Sequence, residues 1–214
     1  MTEQLRLDPI RRISGSITLP GSKSLSNRVL LLAMLSEGET LIENLLDSDD
    51  VRRMVDALAK LKISYEEDRP NKRITVRGVA GRIPVVEAKL FLGNAGTAIR
   101  PLTAALTLGH GRFVLDGIER MRERPIQDLL EGLNQLGAHV RSVHNTGCPP
   151  VEIIADGLQG GVTELSGAIS SQYLTAILLT SPYAKTPVEI RIRDHLVSVP
   201  YVKMTIRLMS RFGV

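Results

Sequence analysis

Tryptophan is absent from this 214-residue chain, and aromatic residues make up only 3% of it. Surfaces that bind nucleic acid by stacking bases need aromatic platforms, so the composition argues against one here. Cys148 is the only cysteine, which excludes an internal disulfide and any cysteine-based metal cluster. Its setting, Gly147-Cys148-Pro149-Pro150, is that of a loop, and a reactive thiol needs an identifiable activating environment, so Cys148 reads as structural. No apolar run approaches the ~20 residues that span a bilayer. The opening MTEQLRLDP has neither a signal-peptide core nor an Arg/Ser-rich transit composition. A reducing cytoplasm is the default expectation. What remains is 43% hydrophobic and 23% charged, the balance of a globular chain with a proper core. The net charge of +4 and a pI near 9.4 fit anionic partners. Because Lys and Arg are scattered, a small acidic metabolite suits them as well as nucleic acid does.

One stretch organises the rest. Leu19–Arg28, LPGSKSLSNR, opens with the breaker pair Pro20-Gly21 and closes where an apolar run begins at Val29. Small residues let backbone approach a ligand, while serine hydroxyls and helix-start N–H groups can donate to an anion. Lys23 and Arg28 add full charges. Taken alone, the stretch reads equally well as an ordinary serine-capped helix start.

The device recurs along the chain. Partial alternation over residues 4–18 suggests two short strands around Pro9 and Gly15. An apolar helix follows from Ser26 to Leu35, then a strand at Thr40–Glu43 and a helix from Val51 to Leu61. Asp47, Asp49 and Asp50 at the start of that second helix complement its dipole. Strands come next at Ile63–Glu66 and Arg73–Arg77. Leu92–Thr97, LGNAGT, is again a small-residue turn before an apolar helix, Ala98–Leu108, with Pro101 tolerated in its first turn. A strand at Arg112–Asp116 and a charged loop, Glu119–Pro125, lead to a helix ending at Leu136. A third copy begins at Leu165–Gln172, LSGAISSQ; its helix runs to Leu179, a strand covers Val188–Ile192, and the last helix ends at Phe212. The second-helix ends Leu61, Leu136 and Phe212 lie 75 and 76 residues apart. An internal repeat of that period, reading helix, strand, helix, strand, strand, predicts an α/β domain of three similar modules. The third module stops after its second helix, so the chain reads as cut at an element boundary. Around a pseudo-threefold axis, the helices beginning near Ser26, Thr97 and Ser171 can aim their N-termini at one place. Each end carries roughly half an elementary charge. Strengthened by Lys23, Arg28 and Arg124, such a site should take a phosphorylated or carboxylated substrate.

LPGSKSLSNR at Leu19–Arg28, NLLDSDDV at Asn44–Val51, LFLGNAGTAIRPL at Leu90–Leu102, RMRERPI at Arg120–Ile126, SGAISSQYL at Ser166–Leu174 and VSVPY at Val197–Tyr201 together resemble the 5-enolpyruvylshikimate-3-phosphate synthase family. The motifs span nearly the whole chain. The resemblance implies a fold of two domains, each an inside-out α/β barrel of three βαβαββ units, with the active site in the cleft between them. This chain then corresponds to the N-terminal half. Residues 1–20 would be strands pairing at the inter-domain junction, and residues 21–214 the N-terminal domain, with repeats at about 21–81, 82–155 and an incomplete 156–214. The C-terminal domain would be absent.

The implied reaction moves the enolpyruvyl group of phosphoenolpyruvate to the 5-hydroxyl of shikimate 3-phosphate and releases phosphate, with no metal or organic cofactor. By motif, Lys23 contacts both substrates and, with Arg124, counts as catalytic. Ser24 and Arg28 hold the shikimate moiety, Ser170 and Ser171 its 3-phosphate with Ser198 nearby, and Tyr201 lines that side. Gln172 reaches both substrates, Gly96 and Arg124 hold phosphoenolpyruvate, and Asp50, Asn94 and Thr97 support. A guanidinium fork suits the phosphate or carboxylate at Arg124. Neighbouring cations would equip Lys23 to donate a proton. Gly96, Thr97 and Pro101 have the pattern of members sensitive to glyphosate. The implied partners are the two substrates and a C-terminal half that supplies further ligands, so the chain alone should turn over nothing. Neither nucleic acid nor a membrane is implied. Two other readings remain open: a non-catalytic shikimate 3-phosphate-binding half, and the related enolpyruvyl transferase that acts on a UDP-amino sugar, which the KSLSNR and SGAISSQ motifs fit less well.

Overall fold

The computed structural model describes residues 4–214; Met1, Thr2 and Glu3, part of the expected N-terminal strand segment, lie outside them. Residues 4–20 form no strand, and Leu5, Leu7, Ile10, Ile13, Ile17 and Leu19 are all exposed. Alternating apolar residues suit a pleated surface, but a strand needs a neighbour to satisfy its N–H and C=O groups. The described residues supply none.

From Lys23 onward the chain is a succession of helices and strands. The first group is α1 (Lys23–Leu35), β1 (Glu39–Ile42), α2 (Asp49–Lys60), β2 (Tyr65–Asp68) and β3 (Arg73–Arg77). Next come β4 (Glu87–Phe91), α3 (Gly96–Leu106), β5 (His110–Asp116), a single-turn α4 (Glu119–Arg122), α5 (Gln127–Gln135), β6 (His139–Ser142) and β7 (Val151–Asp156). The last are β8 (Gly161–Leu165), α6 (Ser171–Thr180), β9 (Val188–Ile192) and α7 (Val199–Arg211). Three sheets result among the described residues. The first, ordered β1-β3-β2, is antiparallel. The second, ordered β4-β5-β7-β6, is mixed, with β4 and β5 parallel and the other pairs antiparallel. The third is the parallel pair β8-β9. Parallel neighbours need a crossover, and α3 and α6 provide the two required.

Several boundaries shift by one to three residues from the sequence reading, and two differences near the cavity have local reasons. Helix α1 begins three residues early, because Ser22 Oγ accepts the Leu25 N–H (3.4 Å) and its carbonyl accepts that of Ser26 (2.8 Å). Lys23 and Ser24 therefore stand inside the first helical turn. The charged loop at Glu119–Pro125 contains α4, which brings the Arg124 backbone N–H onto the Met121 carbonyl.

Helices α1, α3 and α6 are apolar around most of their circumference and form the centre. In α3 every residue from Ala98 to Leu106 is buried, as expected of a helix without a polar face. Leu30, Leu31, Met34, Leu102, Leu106 and Ile177 are fully enclosed, each worth about 1.5–3 kcal/mol relative to exposure. Helix α3 packs against both α1 and α6, while α7 rests on α1 and α6. Polar faces are left to the outer helices, such as α2 with exposed Arg52, Asp56 and Lys60. The N-terminal ends of the central helices open on one side.

Candidate active site

Five helices send their first turns into one cavity of about 560 Å³. Lys23 and Ser24 come from α1, Asp50 from α2, Gly96 and Thr97 from α3, Ser171 and Gln172 from α6, and Tyr201 from α7. Arg28, Asn94, Arg124, Ser170 and Ser198 complete the set expected from the sequence. All thirteen candidates thus share one lining, although they come from stretches up to 178 residues apart in the chain. Pro101, Ile169, Thr175 and Val197 line it as well.

Each charged group is held in a specific way. Lys23, half-exposed, lies 3.5 Å from Asp50 Oδ1. Asp50 Oδ2 also accepts the Thr97 hydroxyl (3.0 Å), whose oxygen accepts Asn27 Nδ2 (2.7 Å). Asp50 therefore does more than complement the α2 dipole: it ties together the starts of α1, α2 and α3. Arg28 is buried beneath the α1 turn, one helical turn beyond Ser24. Its Nη1 donates to the Ser24 carbonyl (2.8 Å), Nε to Thr205 Oγ1 (2.9 Å) and Nη2 to Thr175 Oγ1 (3.3 Å), and its guanidinium lies 5.8 Å from the Tyr201 ring centre. Burial pushes this guanidinium below its ordinary value, with Tyr201 opposing. Arg124 reaches across the α3 start, donating from Nη1 to the Asn94 carbonyl (2.9 Å) and to Asn94 Oδ1 (3.1 Å).

Gly96 is required by space. A Cβ there would collide with Arg124 Nη2 and lie 2.8 Å from Arg100 Nη1. No side chain caps α3, whose flanking residue is Ala95, so its first N–H groups have no side-chain acceptor. Ser170 caps α6 by accepting the Gln172 N–H (3.2 Å). Ser198, just before α7, adopts a left-handed backbone with φ of 55°.

The sequence reading missed Arg100. It is buried, donates to Gln172 Oε1 (2.8 Å) and to the Pro125 carbonyl (3.0 Å), and faces the Tyr173 ring at 5.6 Å. Because Arg100 takes the Gln172 oxygen, the Gln172 amide N–H₂ is left free to donate elsewhere. Burial lowers the Arg100 pKa, Tyr173 raises it, and nearby Arg124 lowers it further. Asn27, Thr175 and Thr205 were also missed. Asp50 is the only carboxylate lining this cavity among the described residues. Lys23, Arg28 and Arg124 outnumber it, and the helix ends add partial positive charge. Such a site is built to neutralise and orient a multiply charged anion.

The family model of EPSP synthase (3-phosphoshikimate 1-carboxyvinyltransferase) matches residues 7–214. The chain belongs to this family. It is 58% identical to the chloroplastic 3-phosphoshikimate 1-carboxyvinyltransferase of Solanum lycopersicum, over 99% of this chain and 42% of that protein. With the 3-phosphoshikimate 1-carboxyvinyltransferase of Shewanella pealeana the identity is 54%, over 99% of this chain and 50% of the relative. The solved EPSP synthase of Acinetobacter baumannii superposes with a TM-score of 0.78 at 26% identity, covering 90% of this chain and 43% of that one. The chain thus spans about half the length of the EPSP synthases it matches. Among the described residues, no helix is long and apolar enough to cross a membrane.

Proposed function

We propose that this cavity is one wall of an enolpyruvyl transfer site that joins phosphoenolpyruvate to the 5-hydroxyl of shikimate 3-phosphate and releases phosphate. The observation that carries the reading is the shared cavity. Thirteen motif residues line it, and its arginines are held by neutral oxygens instead of carboxylates. Hydroxyls and carbonyls fix a guanidinium without cancelling its charge. Ser24 and Arg28 then serve the shikimate moiety, with Tyr201 alongside, and Ser170, Ser171 and Ser198 serve its phosphate. Gly96 and Arg124 take phosphoenolpyruvate, while Lys23 and Gln172 stand between the two. Asp50, Asn94 and Thr97 hold Lys23 and Arg124 in place. Aligning both anions turns a bimolecular step into an effectively unimolecular one.

The architecture fits three versions of one unit, at about 21–81, 82–155 and 156–214. In support, the second helices end at Lys60, Gln135 and Arg211, 75 and 76 residues apart, and a parallel strand pair bridged by a helix occurs at both β4-α3-β5 and β8-α6-β9. We expect the remaining length of the family to supply the facing wall, the proton-transferring carboxylates and strand partners for residues 1–20. The chain alone should therefore bind shikimate 3-phosphate weakly and release no phosphate. Adding the segment that corresponds to the rest of the family should restore phosphate release from the two substrates. No release from the combined halves, or full activity from the 214 residues alone, would overturn this reading.

A further inference from the structure

We propose that Asp194 is a positioning residue that sets the spacing between the two loops bearing Ser170, Ser171 and Ser198. The inference rests on the functional reading above and names a group outside the cavity lining. Two residues beyond β9, Asp194 turns back onto the loop between β8 and α6. Its Oδ1 accepts the Gly167 N–H (2.6 Å) and the Ala168 N–H (3.1 Å), and its Oδ2 accepts the Ser166 hydroxyl (2.9 Å). Gly167 returns the contact, its carbonyl accepting the Val197 N–H (3.0 Å). There is no slack between the loops: a Cβ on Gly167 would lie 2.7 Å from Ile192 Cγ2 and 2.8 Å from the His195 carbonyl.

The clamp sits immediately behind the site residues. Three positions after Gly167 comes Ser170, which caps α6. One position after Val197 comes Ser198, in a left-handed conformation that L residues disfavour. Such a conformation persists where its surroundings over-determine it. The Ser166 hydroxyl, the Gly167 and Ala168 N–H groups and His195 hold the Asp194 carboxyl below its usual range, against the effect of desolvation. It is thus an ionised acceptor at neutral pH, and hydrogen bonds to an ionised acceptor are the strong ones. Loosening the clamp should separate the Ser170–Ser171 turn from Ser198 and weaken the hold on the phosphate of the acceptor. The Gly96–Arg124 side should be unaffected.

The test uses this chain together with the segment that corresponds to the rest of the family, with Asp194→Ala, Asp194→Asn and Gly167→Ala, reading calorimetric affinity for shikimate 3-phosphate and the KM for phosphoenolpyruvate. Asp194→Ala should weaken shikimate 3-phosphate by about tenfold and leave the phosphoenolpyruvate KM within about twofold. Gly167→Ala should act in the same direction. Asp194→Asn, whose Oδ1 still accepts both N–H groups, should stay within about threefold of the parent. Unchanged shikimate 3-phosphate affinity in Asp194→Ala, or equal weakening of both substrates, would overturn the proposal. Failure of the unaltered enzyme to bind shikimate 3-phosphate would instead overturn the underlying functional reading, and the proposal with it.

Discussion

Two cavities flank α2, and both are rich in charge. The outer one, about 410 Å³, is lined by Asp47, Asp49, Asp56 and Glu67 together with Arg52, Arg53, Arg69, Lys72 and Arg73. There the arginines pair with carboxylates: Arg52 with Asp47 (2.7 Å), Arg53 with Asp49 (3.4 Å), Arg69 with Glu67 (3.0 Å) and Arg73 with Glu43 (2.8 Å). On the inner side, Arg28, Arg100 and Arg124 rest on threonine hydroxyls, an amide oxygen and backbone carbonyls. An exposed ion pair spends its charge on its own partner and is worth little to stability. A cation held by neutral oxygens keeps its charge for an incoming anion. Cavity size therefore does not separate a site from a surface groove in this molecule; the partners of the arginines do.

Substitutions can break that contrast. Arg124→Ala removes an inner cation that no carboxylate compensates; on the proposed function, and with the rest of the family's length added, it should lower kcat/KM for phosphate release by about 10²–10³-fold. Arg28→Met removes three buried donations, to the Ser24 carbonyl and to the Thr175 and Thr205 hydroxyls, and should cost about 2 kcal/mol, read as a fall in urea midpoint. Gly96→Ala drives a methyl against Arg124 and Arg100 and should raise the KM for phosphoenolpyruvate about tenfold by tilting the fork. Shikimate 3-phosphate affinity should hold, and glyphosate inhibition should weaken in parallel.

A smaller effect is expected from acid. Asp116 accepts Arg122 through Nε (2.9 Å) and Nη2 (2.5 Å) and also the Gly117 N–H (2.8 Å). Partial burial opposes its ionisation, but these donors prevail and its carboxyl sits below the ordinary value of 3.8. A depressed carboxylate adds stability above that value and loses it as pH falls through the lowered one. The Tm gap between the parent and Asp116→Asn should therefore be full near neutrality and close below about pH 4. Smallest of all, Arg52→Ala in the outer cavity should leave phosphate-release kinetics within about twofold of the parent. A large loss there would erase the distinction between the two cavities.

What the sequence made legible follows from local chemistry. Lys23, Ser24 and Arg28 sit within one turn and a half of a helix, and the small-residue turns at Gly93–Thr97 and Ser166–Gln172 precede apolar runs in the same way. Motif and structure agree where such a short stretch carries its own geometry. Arg100 eluded that reading because, inside α3, it looks like any solubilising residue; its partners Gln172 and Pro125 come from other elements. Arg28 was found, but its Thr205 partner lies 177 positions away, and no local pattern records such a pairing. The N-terminal strands stay untested for the converse reason. Their alternation is plain, yet pairing is a property of two segments, and only one is described.

The burial of α3 from Ala98 to Leu106 also governs how the site moves. Its amides can exchange with solvent only when the centre of the molecule opens, so their hydrogen–deuterium exchange should report the global unfolding free energy. The first turn of that same helix is the floor on which Gly96 and Thr97 stand. A floor rooted in so deeply buried a helix should not reshape itself around a ligand on the timescale of binding. Adaptation in this cleft is left to its half-exposed side chains, Lys23 and Tyr201.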